Sequence, residues 1–119
     1  MATGATEAKA KVHDRGGVAV IELHGEINRS AEGVIERGYD EAAALGPSSL
    51  LLDFASVDYI NSTGIALIVG VLARARAEGR TVRACGLSDH YREIFEITRL
   101  ADFMTIHADE ASALAEASG

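Results

Sequence analysis

The chain has 119 residues, 48% hydrophobic and 24% charged, which is enough for one buried core and excludes two independent domains. Its formal net charge of −7, with basic residues scattered along the chain, predicts no nucleic-acid partner. No apolar run approaches the roughly 18 residues of a membrane span, and the first residues lack the order of a secretory signal. We therefore expect a cytoplasmic protein without membrane insertion.

The first elements in chain order are a tail and a hairpin. Residues 1–8 are small and polar without hydrophobic period, which predicts a flexible tail before a folded domain over residues 9–117. Residues 9–23 carry alternating and then β-branched apolar side chains around a turn-rich stretch at 14–17. This pattern predicts a β-hairpin.

A helix and a buried strand follow the hairpin. Ser30 is the predicted N-cap of a first helix over residues 31–45, which Gly46 and Pro47 end. Residues 49–54 form a short apolar run without alternation. Such a run is typical of a central strand covered on both faces.

The second helix is predicted from residue 62 to about residue 78, before Gly79. The side chains predicted to face the sheet are Ile65, Ile68, Val69 and Leu72. The opposite side carries Leu67 and Val71, and is therefore more apolar than a solvated face. These two residues either pack under a neighbouring helix or extend a docking surface.

The last third of the chain repeats the alternation of strand and helix. We predict a strand over 81–85, a helix capped by Ser88, a short strand over 104–106 and a terminal helix over 109–117. The side chains expected on one side of the capped helix are Tyr91, Ile94, Phe95 and Thr98. The order of elements predicts an α/β fold: a mixed, mostly parallel sheet with an N-terminal hairpin and about four packed helices.

The most informative segment is the polar stretch over residues 53–64, which leads from the buried strand into the second helix. Asn61 is suited to be the N-cap, so Ser62 and Thr63 fall in the first turn, where backbone N–H groups lack helical partners. The positive end of the helix tolerates a phosphoryl group on Ser62, which still presents about −2 charge to a docked partner. This position suits a switch.

Two motifs in this sequence resemble the STAS domain family, and within it the bacterial anti-sigma factor antagonists (anti-anti-sigma factors). The stretch Gly25-Glu26-Ile27-Asn28 is similar to the loop after the second strand of that family, and residues 58–65 are similar to its phosphorylation segment. The resemblance covers residues 12–114.

The resemblance implies a partner switch without cofactor. The unphosphorylated protein is expected to bind an anti-sigma factor serine kinase and so release the sigma factor. Phosphorylation of Ser62 is expected to end this binding. A PP2C-type phosphatase is expected to restore it. Thr63 is the alternative acceptor. The partner-binding residues expected are Glu26, Asn28, Asn61, Ser62, Thr63, Gly64, Leu67 and Val71.

The sequence departs from the usual antagonist pattern at Asn28 and Asn61, where aspartates are expected. The hydrogen-bonding shape is kept and two charges are absent, which bears on partner choice and phosphorylation. Two other functions stay open: a STAS subunit that docks on a lipid-transport ABC ATPase, and a scaffold or anionic-ligand-binding STAS module.

The residues do not predict catalysis or a metal site. Asp53 and Asp58 have no third ligand nearby, and the four histidines fall in different elements without zinc spacing. Ser62 lacks a nucleophile elbow, and no phosphate-binding glycine loop occurs. Cys85 is expected to be a small buried hydrophobe.

Overall fold

The computed structural model describes residues 7–118 and confirms the predicted order of elements. The elements are β1 Lys9–Arg15, β2 Val18–Ile27, α1 Glu32–Ala43, β3 Ser49–Ile60, α2 Ser62–Ala77, β4 Thr81–Cys85, α3 Asp89–Ile97, β5 Thr105–His107 and α4 Glu110–Ser118. Two short 3-10 turns lie at Arg29–Ala31 and Leu100–Asp102. Most of the predicted tail lies outside the described residues, and Ala8, its last residue, is buried.

The sheet has five strands in the order β1-β2-β3-β4-β5, with an antiparallel hairpin and three parallel pairings. The hairpin turns at Gly16 and Gly17, whose φ angles of 65° and 92° are accessible to glycine at little cost. The mixed, mostly parallel sheet predicted from the sequence is therefore confirmed.

Helices cover both faces of this sheet. Alternate residues of β2 point to opposite faces, so Ile21 joins a core with α1, α2 and α3, whereas Val20 joins a smaller cluster under α4. Cys85 belongs to the smaller cluster and is fully buried, as predicted. Burial, together with the nearby Asp53 carboxylate, raises the pKa of the Cys85 thiol to about 12.

The prediction that Ser30 caps the first helix is wrong. The Asn28 side chain accepts hydrogen bonds from the Ser30 backbone N–H at 3.0 Å and from the Ser30 hydroxyl at 2.6 Å. Asn28 thus caps a 3-10 turn that precedes α1, and no side chain caps α1 itself. An asparagine competes with serine for this local role because both hydrogen-bond to nearby backbone groups.

Strand β3 does not end at Phe54, after which the sequence pattern predicts a connecting segment. It continues to Ile60 and stays paired with β2 through two irregularities, between Glu22 and His24 and between Gly25 and Glu26. Strand β4 pairs with β3 only as far as Asp53. Among residues 7–118, the second half of β3 therefore has β2 on one side and no strand on the other.

Helix α2 is rotated relative to the prediction. Val69, predicted to face the sheet, is 45% exposed, and Val71 is 5% exposed. Val71 borders a groove between α1 and α2 together with Ile35 and Tyr39. The first of the two alternatives for the opposite side of α2 is thus the observed one: this side packs under a neighbouring helix.

Candidate functional site

The end of β2, the end of β3 and the start of α2 meet at the carboxyl ends of the parallel strands. The last residues of β2 pair in parallel with the last residues of β3, Glu26 with Tyr59 and Ile27 with Ile60. The backbone N–H of Asn61 then donates to the Ile27 carbonyl at 3.2 Å. This contact fixes the start of α2 directly against the end of β2.

Asn61 caps α2 as the sequence predicts. Its backbone is extended (φ −92°, ψ −177°), and its side-chain oxygen accepts the Gly64 N–H at 2.8 Å. The Asn61 carbonyl accepts the Ile65 N–H at 2.9 Å, which begins the helical ladder. Ser62 and Thr63 are both exposed in the first turn, at the positive end of the helix dipole.

Gly64, one of the predicted partner contacts, is buried in the first turn of α2. A Cβ atom at this position would lie 1.9 Å from the Ile27 carbonyl oxygen and 2.8 Å from the Ile27 carbonyl carbon. The glycine therefore permits the close approach of α2 to β2. Its contribution is to the position of the neighbouring hydroxyls.

The other predicted contact residues differ in their access to a partner. Glu26, Asn28 and Asn61 are half-buried around the exposed serine and threonine. Leu67 is partly buried against the core and Val71 is buried, so Val71 offers no surface to a partner.

Sequence reasoning missed Tyr59, which is 51% exposed beside Glu26. Its signal was the β-forming content of residues 57–60, which indicates that the strand continues. An exposed aromatic ring with charged neighbours, here Asp58 and Glu26, is the kind of side chain that dominates many protein interfaces. Tyr59 therefore offers an exposed aromatic side chain at the carboxyl ends of β2 and β3.

A second missed residue, Tyr91 of α3, supports the site from behind. Its phenolic oxygen accepts the backbone N–H of Ile60 at 2.9 Å. This hydrogen bond satisfies the last N–H of β3 on the side that β4 leaves without a partner strand. Tyr91 thus ties α3 to the residue immediately before the cap of α2.

We predict that Tyr91→Phe lowers the free energy of unfolding by about 1–2 kcal/mol, because the Ile60 N–H loses its acceptor. Hydrogen exchange of the Ile60 amide should accelerate beyond the change in global stability. Tyr59→Phe is the matched control: no partner of the Tyr59 hydroxyl is found among the described residues, so stability should not change. Unaltered Ile60 exchange in Tyr91→Phe would contradict this assignment.

The Asn61 cap makes a separate prediction. Asn61→Ala should lower the free energy of unfolding by about 1 kcal/mol in urea titrations, because the Gly64 N–H loses its acceptor. Asn61→Asp keeps the acceptor and adds a negative charge at the positive helix end, so it should be at least as stable as the native protein. A destabilised aspartate variant would show that the amide group makes a further contact.

Asp53 and Glu22 each have a local partner. The Asp53 carboxylate accepts the Ala55 N–H at 2.9 Å, and His24 pairs with Glu22 at 2.8 Å. The hydrogen bond from His24 is the main cause that lowers the pKa of Glu22. Within residues 7–118, no group of three His, Cys, Asp or Glu side chains is placed to hold a metal ion.

The chain is similar to known proteins both in sequence and in fold. One relative by sequence is the anti-sigma-F factor antagonist RsfB of Mycobacterium tuberculosis, 28% identical over 93 residues that cover 68% of this chain and 76% of the relative. By fold, an anti-sigma factor antagonist from Mycobacterium paratuberculosis superimposes with a TM-score of 0.82 at 19% identity, over 95% of this chain and 96% of that one.

The Bacillus protein SpoIIAA in its phosphorylated form superimposes with a TM-score of 0.70 at 21% identity, over 91% of this chain and 98% of that one. A structure of SpoIIAA in its unphosphorylated form gives the same TM-score. Among the described helices, none combines the length and apolarity needed to cross a membrane. The family model of the STAS domain matches residues 9–113, and the chain belongs to the STAS domain family.

Proposed function

We propose that this protein is an anti-sigma factor antagonist regulated at Ser62. Its unphosphorylated form binds an anti-sigma factor serine kinase and releases a sigma factor, and phosphorylation of Ser62 ends that binding. The observation that carries the proposal is the exposed Ser62 hydroxyl in the first turn of α2, held by the Asn61 cap. The name of the relative RsfB supports the same function.

At the position of Ser62, a phosphoryl group is expected to leave the fold stable and to weaken the binding of a partner. Within the chain, the group adds about −2 charge at a helix N-terminus, where negative charge is favourable. In an interface formed around a neutral hydroxyl, the same charge must lose its water, which costs binding free energy. Phosphorylation is therefore expected to weaken binding without unfolding the domain.

Asn28 changes the hydrogen-bonding groups that the protein offers to a partner near Ser62. The Asn28 side-chain oxygen is engaged by Ser30, which leaves its NH₂ group able to donate to a partner. An aspartate there would accept the same hydrogen bonds but would have no donor. We propose that Asn28 selects a partner that offers an acceptor at this point.

The first experiment is a capture from lysate of the native host with Ser62→Ala and Ser62→Asp as parallel baits. We expect Ser62→Ala to retain a serine kinase of the anti-sigma type and Ser62→Asp to lose it. Ser56→Ala and Ser56→Asp are matched controls, because Ser56 is exposed on β3 outside the α2 turn, and both should retain the kinase. Equal capture by the two Ser62 baits would contradict the charge switch, and capture of ABC-transporter subunits would favour static docking.

The second experiment assigns the acceptor hydroxyl. The captured kinase with ATP should add one phosphoryl group to the native protein and to Thr63→Ala, and none to Ser62→Ala, as measured by intact mass. A PP2C-type phosphatase should then reverse the modification. Phosphorylation of Ser62→Ala that is lost in Thr63→Ala would move the switch to Thr63.

A further inference from the structure

A cleft separate from the Ser62 surface opens along the second half of α2. It lies between α2, the start of β4 and residues 98–105, and its volume is about 940 Å³, within the usual size of small-ligand sites. Val69 and Phe103 stand exposed at its rim. The side chains at its floor are Leu72, Val82, Leu100 and Met104, each between 5% and 7% exposed. These four side chains make the floor of the cleft apolar.

The charges around the cleft leave one cation without a carboxylate. Arg80 is paired with Glu78, and Asp102 is paired with Arg99 at 2.7 Å. Arg76 also borders the cleft, and no carboxylate among residues 7–118 lies within ion-pair distance of its guanidinium. The cleft therefore presents an uncompensated positive charge in a chain whose formal net charge is −7.

We propose that this cleft binds a single-chain alkyl carboxylate, with its chain along the apolar floor and its carboxylate on Arg76. An alkyl chain is apolar along its length and so matches this floor, and the exposed Val69 and Phe103 at the rim add apolar surface for it. The Arg76 guanidinium lies 5.9 Å from the centroid of the Phe103 ring, a contact that holds the charge at the mouth. Arginine and carboxylate form strong, charge-assisted hydrogen bonds.

The test is a titration of the full-length protein, followed by amide chemical shifts in NMR spectra, with three probes that share one chain length. The probes are decanoate, decanol and decyltrimethylammonium. We expect decanoate to shift the amides of Val69, Ala73 and Phe103, and to bind about tenfold more tightly than decanol because of the ion pair. The cationic probe should bind most weakly.

Two variants make the test specific. Arg76→Gln should weaken decanoate about tenfold and leave decanol unchanged. Arg92→Gln removes an exposed arginine of α3 outside the cleft and should change neither affinity. The proposal is overturned by equal affinity for all three probes, by unchanged decanoate binding in Arg76→Gln, or by the absence of shifts at the cleft.

The same titration would also detect a different ligand of the cleft. Shifts at the cleft with an acidic amphipathic peptide, and none with decanoate, would overturn the proposal and assign the cleft to a protein partner. The titration needs neither the kinase nor a phosphorylated Ser62. Its failure is therefore separate from failure of the proposed partner switch.

Discussion

Gly64→Ala is expected to lower the free energy of unfolding by about 3 kcal/mol or more, because the added methyl group has no free space. The atom in its way is the backbone carbonyl oxygen of Ile27, 1.9 Å from the point that the alanine Cβ would occupy. A backbone group cannot turn aside as a flexible side chain does, so α2 must move away from β2. That shift also lengthens the hydrogen bond from the Asn61 N–H to Ile27.

The same substitution elsewhere in α2 gives a control of opposite sign. Gly70 is exposed in the helix interior, and a Cβ atom there meets nothing within 4 Å. Gly70→Ala should therefore stabilise the protein by about 0.5–1 kcal/mol through helix propensity alone. Urea unfolding of the two variants measures both effects, and equal stabilities would show that α2 does not approach β2 as closely as described.

The second large effect is expected for Val71→Asp, which should lower the free energy of unfolding by about 3 kcal/mol or more. Val71 is 5% exposed between α1 and α2, and an aspartate there would be a buried charge without a partner. Thermal melting or urea titration should show a large loss of stability or no cooperative transition at all.

Val69→Asp is the matched control on the same helix, two residues away. Val69 is 45% exposed, so its aspartate variant keeps the new charge in water and should melt within a few degrees of the native protein. The sequence prediction, with Val69 against the sheet, requires instead that Val69→Asp is strongly destabilised as well. The pair of variants therefore decides between the two rotations of α2.

Local sequence signals were sufficient to predict the elements that begin and end at capping or turn residues. Strand β4 was predicted over the residues it occupies, 81–85, because an apolar, β-branched run stands between a glycine and a helix cap. The start of α2 at Ser62 followed from the capping chemistry of Asn61. The surface around Ser62 was predicted for the same reason, since a cap and two small polar residues lie next to one another in the chain.

The errors concern contacts between distant parts of the chain. Helical periodicity gives an apolar stripe but does not tell which neighbour covers each side, so Val69 was wrongly placed against the sheet and the cover of Val71 was left open. The polar residues Ser56 and Asp58 gave the second half of β3 the pattern of a loop, although pairing with β2 keeps it a strand. The hydrogen bond from Ile60 to Tyr91 joins residues 31 positions apart. The close contact of Gly64 with Ile27 joins residues at a comparable separation. No local sequence pattern predicts either contact.

The contact of α2 with the Ile27 carbonyl means that main-chain atoms determine where the Ser62 hydroxyl stands. Asn61 donates its backbone N–H to this carbonyl, and Gly64 lies against it with no side chain. Side chains around the hydroxyl can therefore be exchanged, asparagine for aspartate among them, while the hydroxyl keeps its place on the sheet edge. Such a division lets the polar side chains around the serine vary without a change in the backbone geometry that presents it.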